Sequence, residues 1–381
     1  MPRGIRLKRN ESIGEGMKNS FGNSICVTLF GESHGAAIGA VVDGLAPGIR
    51  IDDEYIKAAL DERRPTGRIS TARREGDEYE IISGVFGGYT TGSPLTLIIR
   101  NTKAESRDYS AFLDTPRPSH ADYTANVKYH GYQDYRGGGH FSGRVTAALV
   151  AVGAIIRGAL EKKGIYIGTH IKSLHGISDR DFTDIESDLK SLRGEKLPVL
   201  SGEAADKMRA EIEAAADMGD SVGGVLESAV IGLPAGVGEP WFDSLEGTLS
   251  HILFSVPGVK GVEFGAGFGF ADMLGSEAND PFLTDGERIY TKTNNNGGIN
   301  GGISNGMPII FRTAIKPTPS IYKAQESVSL SKMESATLEI SGRHDPAIIH
   351  RARAVIDAVC AIAVADALAV KLGTDFLRSD K

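Results

Sequence analysis

Two segments of the chain, residues 145–160 (V-T-A-A-L-V-A-V-G-A-I-I-R-G-A-L) and 354–370 (A-V-I-D-A-V-C-A-I-A-V-A-D-A-L-A-V), constrain the fold more than any other feature. Both read as helices apolar almost all round, and such a helix belongs inside a protein. The second carries Asp357 and Asp366. A carboxylate among apolar residues is costly unless something pairs with it, which makes Asp366 a candidate for more than surface decoration. Each helix follows the triplet S-G-R, at residues 142–144 and 341–343.

The polar stretch feeding the first helix, residues 117–144, is R-P-S-H-A-D-Y-T-A-N-V-K-Y-H-G-Y-Q-D-Y-R-G-G-G-H-F-S-G-R. It gathers His120, His130 and His140 and closes on three glycines, Gly137, Gly138 and Gly139. Glycines permit positive φ and close approach to a ligand, and a helix start offers free amides and a positive dipole end to an anion. On the glycines alone, a plain loop capping a core helix explains the pattern as well. Neither common phosphate motif is present: G-x-x-x-x-G-K-[ST] is absent, and Ser142 stands where the last glycine of G-x-G-x-x-G would fall.

Earlier in the chain, a strand-like run over residues 25–30 ends in F-G-E-S-H-G. Ser33 and His34 are adjacent, which is poor geometry for a nucleophile with its base, and no G-x-S-x-G elbow surrounds the serine. His34 reads instead as a single acid–base group or anion binder, against the plainer alternative of a turn histidine bonded to backbone. A helix then starts at Asp52 and Asp53, halts at Pro65, and leaves Arg63, Arg64, Arg68, Arg73 and Arg74 bunched around its end. Guanidinium binds phosphate and carboxylate bidentately. With a net charge of −7, a local arginine cluster suits a small anionic ligand better than a nucleic-acid backbone, which calls for a broadly basic face.

The remaining composition, 41% hydrophobic and 24% charged over 381 residues, is that of an ordinary protein with a sizeable core. No apolar run approaches the roughly 18 residues of a membrane span. Cys26 and Cys360 sit in apolar surroundings, as expected of a reducing, cytoplasmic compartment. No metal-ligand spacing such as C-x-x-C or H-E-x-x-H occurs. Residues 1–19 begin M-P-R-G-I-R-L-K-R-N, basic without an apolar core, and are expected to be a disordered or start-site tail.

Landmarks recur. G-L-A-P-G before an acidic helix start is echoed by G-L-P-A-G, T-G-S-P-L by N-G-M-P-I, and S-G-R plus apolar helix by S-G-R-H-D-P plus apolar helix. This points to one pseudo-duplicated domain over residues 20–375. Its halves are about 25–165 and 222–370, and an acidic, largely helical insertion over 171–220 is peripheral. Residues 294–306, N-N-N-G-G-I-N-G-G-I-S-N-G, read either as flexible filler or as a loop whose amides wrap a ligand.

Taken together, F-G-E-S-H-G, R-P-S-H-A-D-Y, D-Y-R-G-G-G, the Gly/Asn loop, K-P-T-P-S and G-R-H-D-P resemble the chorismate synthase family in that family's order, over residues 20–371. The resemblance implies an α+β fold, a helical core sandwiched by antiparallel sheets, assembled as a homotetramer. It implies a lyase converting 5-enolpyruvylshikimate-3-phosphate to chorismate and phosphate by 1,4-anti elimination, with reduced FMN and no net redox change. Carried over residue by residue, His34 protonates the departing phosphate, His120 protonates or holds the reduced flavin, and Asp366 handles protons near it. Flavin contacts fall to His140, Phe141, Ser142, Gly301, Lys316, Pro317, Thr318, Pro319, Ser320 and Arg343. Arg63, Arg68 and Arg144 fall to the phosphorylated substrate or to a nicotinamide nucleotide. NADPH is the alternative reductant to an external flavin reductase. The family loop G-G-G-R-S-S-A-R-E-T is here G-G-G-H-F-S-G-R-V-T, so His140, Phe141 and Val145 replace an arginine, a serine and a glutamate. Fixed charge at the flavin loop is thereby reduced or made pH-dependent. The rivals are a flavin-dependent hydride-transfer enzyme, an RNA-binding module and a structural oligomer; the acidic chain lacks the aromatic–basic interleaving an RNA binder uses.

Overall fold

The computed structural model describes residues 19–70, 76–102, 112–340 and 344–379. Arg73, Arg74, Arg343 and the second S-G-R triplet lie outside these residues, as does nearly all of the tail expected over residues 1–19. In chain order the main elements begin β1 (Ser20–Phe21), β2 (Cys26–Gly31), β3 (Ala37–Asp43), α1 (Asp53–Arg63), β4 (Tyr79–Ser83), β5 (Leu95–Arg100), α2 (Asp122–Lys128) and α3 (Thr146–Lys162). They continue β6 (Tyr166–Leu174), β7 (Ile177–Ser178), α4 (Ile185–Ser191), α5 (Gly202–Asp217), β8 (Gly224–Ile231), α6 (Leu245–Leu253), β9 (Val259–Phe264), β10 (Ile309–Ile315) and α7 (Ile349–Leu372).

Two five-stranded antiparallel sheets result, ordered β1-β2-β3-β5-β4 and β7-β6-β8-β10-β9. Alternation drives both. Leu95, Leu97 and Ile99 of β5, and Ile309, Phe311, Thr313 and Ile315 of β10, turn to the interior while their neighbours do not. Between the sheets lies the helical layer: α3 packs on β3 and β5, α7 on β6 and β8, and the two helices pack on each other. This is the α+β sandwich expected. The reason both helices are rich in Ala, and α3 carries Gly153, is visible where they cross. A β-carbon on Gly153 would lie 2.6 Å from Ala358 Cα, so the backbones meet with nothing between them.

Each sheet is built by the same order of events: two adjacent strands, a helix, then two strands entering in reverse order, then the long apolar helix. Residues 171–220 do not all lie in a peripheral insertion. The strand β6 runs to Leu174 as an inner strand paired with β8, with Glu227 opposite His170, and only then do α4 and α5 leave the sheet. An apolar stretch of spanning length does exist, since residues 143–162 have a mean hydropathy of 1.5, but that stretch is 89% buried in the sandwich. It is a core helix.

The two helix carboxylates are paired, as their burial demands. Thr169 Oγ1 donates to Asp357 Oδ1 at 2.6 Å, with Arg157 and Arg353 at 3.4 and 3.5 Å. Asp366 accepts the backbone N–H groups of Asn23 (2.9 Å), Ser24 (2.7 Å) and Ile25 (2.8 Å). It anchors the turn between β1 and β2 to the central helix, which is a structural use of the carboxylate.

Candidate active site

The site starts from a four-residue turn. Gly35 N–H donates to Glu32 O at 3.1 Å, so Ser33 and His34 occupy the two central positions between β2 and β3. His34 is buried, and its ring lies against the backbone of Gly137: a β-carbon there would stand 2.8 Å from His34 Cε1. Gly138 faces the other histidine, since a β-carbon on it would stand 3.3 Å from His120 Cε1. Gly137, Gly138 and Gly139 take φ of 59°, 82° and 53°, which other residues adopt only under strain. The three glycines are therefore the wall between two histidines, and neither position has room for a side chain.

The loop is stitched to the turn at two further points. Ser33 N–H donates to Gly139 O at 3.1 Å, and His140 Nδ1–H donates to Gly31 O at 2.8 Å. His140, expected at the flavin, thus spends one ring nitrogen on the end of β2. Phe141 packs edge-on to Tyr129, and Ser142 Oγ accepts from Arg144 N–H at 3.2 Å, closing the turn into α3.

His120 has a defined orientation. Its Nδ1 is 2.6 Å from Asp122 Oδ1, and Arg117 grips the same carboxylate through Nε and Nη2, both at 2.8 Å. Burial pushes the His120 pKa down; the Asp122 hydrogen bond opposes this, and Arg117 and Lys316 add to the lowering. Burial alone would raise Asp122, but the bonds from Arg117 and His120 hold its carboxyl well below the usual range. The neutral imidazole therefore donates from Nδ1 and keeps its lone pair on Nε2, beside Gly138.

The K-P-T-P-S turn reaches the same side. Lys316 Nζ donates to Ser119 O, and Arg117 Nη1 reaches Ser320 Oγ at 3.4 Å. Thr318 Oγ1 is buried with no hydrogen-bond partner among the described residues, although its carbonyl accepts from Ser221 at 2.7 Å. Pro319 O accepts from Gln325, and Pro317 packs at the root of β8 beside Gly223. A buried orphan hydroxyl on the same turn as a lysine is a donor set that suits a phosphate-bearing cofactor.

The arginines divide. Arg63 and Arg144 are buried and share Asp77, which holds a positive φ of 47°. Arg63 also donates to Thr146 Oγ1 (3.1 Å) and Gly143 O (3.1 Å), so it braces the start of α3. The Arg68 side chain is 75% exposed and, among the described residues, pairs with Asp217 at 3.8 Å. Gly301 stands apart from this cluster, on a hairpin whose Gly302 O accepts from Leu245 N–H, with a positive φ of 61° and open space around it. The Asn-rich loop is ordered from within. Asp280 accepts from Thr293, Asn295 and Asn296, and Asn294 Nδ2 donates to Pro308 O, so these side chains hold the loop itself. Asp345, from G-R-H-D-P, pairs with Arg351, whose Nε donates to Arg63 O. That carboxylate, unlike Asp366, is linked to the glycine-loop side of the molecule.

Sequence reading alone missed Asp122, Asp77 and Asn101. Asp122 had a signal, since it lies two residues beyond His120 in R-P-S-H-A-D-Y; Asp77 and Asn101 had none, because their roles arise from segments distant in sequence.

Two histidines about a glycine loop, with a lysine and a buried hydroxyl unpaired among the described residues on the same side, are the furnishings of an enzyme site. A family model for chorismate synthase matches residues 25–369. The chorismate synthase of Thermococcus gammatolerans is 47% identical over 348 residues, covering 91% of this chain and 96% of that protein. That of Dehalococcoides mccartyi is 45% identical over 360 residues, covering 94% and 98%. A crystal structure of a chorismate synthase superposes with a TM-score of 0.74 at 30% identity, covering 93% of this chain and 94% of that one. The chain belongs to the chorismate synthase family, the lyases of the last step of the shikimate pathway to aromatic amino acids.

Proposed function

We propose that His34 and His120, on opposite sides of the three-glycine wall, are the proton-handling groups for the 1,4-anti elimination of phosphate from 5-enolpyruvylshikimate-3-phosphate. The observation that carries this is the contact of Gly137 with His34 and of Gly138 with His120. His34 gives a proton to the oxygen of the departing phosphate, which turns a poor leaving group into a good one. His120, neutral at Nε2, accepts and holds a proton on the cofactor side. Reduced FMN supplies electron density to the substrate when bound. Lys316, Thr318 and the glycine loop would hold its phosphate, with Ser320 and Arg117 in support. Arg68, the exposed arginine, serves the substrate's acidic groups, while Arg63 and Arg144 brace the loop from beneath. Flavin reduction comes from an external reductase rather than from NADPH on this chain.

The same reading includes a homotetramer in the cytoplasm, in one domain of two intertwined halves. The matching strand orders support the halves. The support for the assembly is the set of exposed large apolar residues between 241 and 289, Trp241, Phe242, Phe268, Leu274, Phe282 and Ile289, surface that an interface between copies would cover.

The test is His34→Ala and His120→Ala under anaerobic conditions with saturating reduced FMN. Each is expected to lower kcat by roughly 10²–10⁴-fold, the usual worth of a positioned acid or base. Full kcat in either folded variant would remove that histidine from the chemistry.

A further inference from the structure

We infer that Asn101 is the positioning residue that sets His34, an inference that rests on the catalytic reading of His34 above. Asn101 follows the last residue of β5 and comes across the open base of the His34 turn. Its Nδ2 donates to Glu32 O at 2.9 Å and to Gly35 O at 2.9 Å, the first and last carbonyls of that turn. Its backbone N–H donates to Ala36 O at 3.1 Å. One side chain thus holds both ends of a four-residue loop whose centre is the acid.

The orientation of the amide is forced. Oδ1 accepts from Arg144 Nε at 3.1 Å, and Arg144 is held in turn by Asp77. Turning the amide over would set its oxygen against two carbonyls and its NH₂ against a guanidinium, so only one arrangement satisfies every group. Asp77 also holds Arg63, and Arg63 bonds Gly143 O at the start of α3. The turn bearing His34 is therefore referenced to the buried end of the glycine loop through Asn101, Arg144 and Asp77. From the other side Gly139 O and His140 hold Ser33 and Gly31. The two grips differ in kind. Gly139 and His140 pin residues ahead of His34, whereas Asn101 is, among the described residues, the side chain that fixes the carbonyl beyond it, and with it the height at which the imidazole meets Gly137.

Asn101→Asp separates the two functions of the side chain. The carboxylate still accepts from Arg144 but cannot donate to Glu32 O or Gly35 O, so the turn loses its base while the buried network keeps its partner. Misplacement of an acid by about 1 Å costs on the order of 100-fold in rate. The expected result is a 10–100-fold fall in kcat with KM and FMN affinity little changed. The double variant His34→Ala/Asn101→Asp should be no slower than His34→Ala alone, because a positioning residue has nothing left to position. Asn101→Ser, whose single short hydroxyl cannot bond both carbonyls and adds no charge, should repeat both results. An Asn101→Asp enzyme with full kcat, or a double variant slower than His34→Ala by the whole Asn101→Asp factor, overturns the inference. Loss of the folded transition in both Asn101 variants does so too, since Asn101 would then carry the fold and not the site. If His34→Ala itself keeps full kcat, the catalytic reading fails first, and that outcome is separate.

Discussion

An imidazole's tautomer is set by the partner of one of its nitrogens, and at His120 that partner is Asp122. The carboxylate takes Nδ1–H at 2.6 Å, and Arg117 keeps that carboxylate ionised and in place. Burial then lowers the imidazole's pKa beneath its ordinary value of about 6.5, so the neutral form persists below neutrality. If neutral His120 is the working form, kcat holds as pH falls through 6.5 and drops only at lower pH. A pH profile in which the acid limb sits above 6.5 and vanishes in His120→Asn would contradict this. The site was legible in the sequence as far as residue type reaches. R-P-S-H-A-D-Y and F-G-E-S-H-G drew attention to both histidines of the candidate site, and G-G-G to the loop between them, but the glycines alone did not separate a ligand loop from a plain helix cap. The partners of the arginines were not legible. Arg63 and Arg144 read as ligand-binding because a guanidinium on a sequence has no partner; Asp77, 14 residues from Arg63, becomes one only when the chain folds back.

At the scale of elements, the two apolar helices could be read at once because a helix with no polar face has only one place to go. The role of Asp366 could not. Apolar surroundings announced that its carboxylate had a partner, but the partner is a turn more than 300 residues earlier, and backbone amides leave no mark in a sequence. The same limit explains the Asn-rich loop, which reads as low complexity although Asp280 organises it residue by residue. Asp366→Asn keeps one acceptor oxygen and removes the charge. It should lower unfolding free energy by roughly 1.5–3 kcal/mol, the worth of hydrogen bonds to a charged group, and leave kcat of the folded enzyme within about twofold. Denaturant unfolding and steady-state rates on one preparation measure both. A variant as stable as the parent but slowed many-fold would return Asp366 to proton handling.

At the scale of the whole molecule, the two sheets enclose a buried helical layer, and the candidate site lies where the loops of the first sheet, the start of α3 and the K-P-T-P-S turn meet. The insertion expected from residue 171 begins only after Leu174, because Lys172 and Ser173 look like surface in sequence although they close an inner strand paired with β8. His170 donates to Asp179 at 2.9 Å and lies 3.1 Å from Glu227. Polarity alone does not separate such a strand from an exposed helix. The central claim is that this molecule eliminates phosphate with a flavin that is needed and not consumed. Its most direct test is an anaerobic reaction of the purified protein with 5-enolpyruvylshikimate-3-phosphate and chemically reduced FMN, following chorismate, phosphate and the flavin spectrum together. The account predicts chorismate and phosphate in equal amounts, many turnovers for each flavin, and a flavin still reduced at the end. Oxidised flavin formed in step with product, or turnover without any flavin, would contradict it.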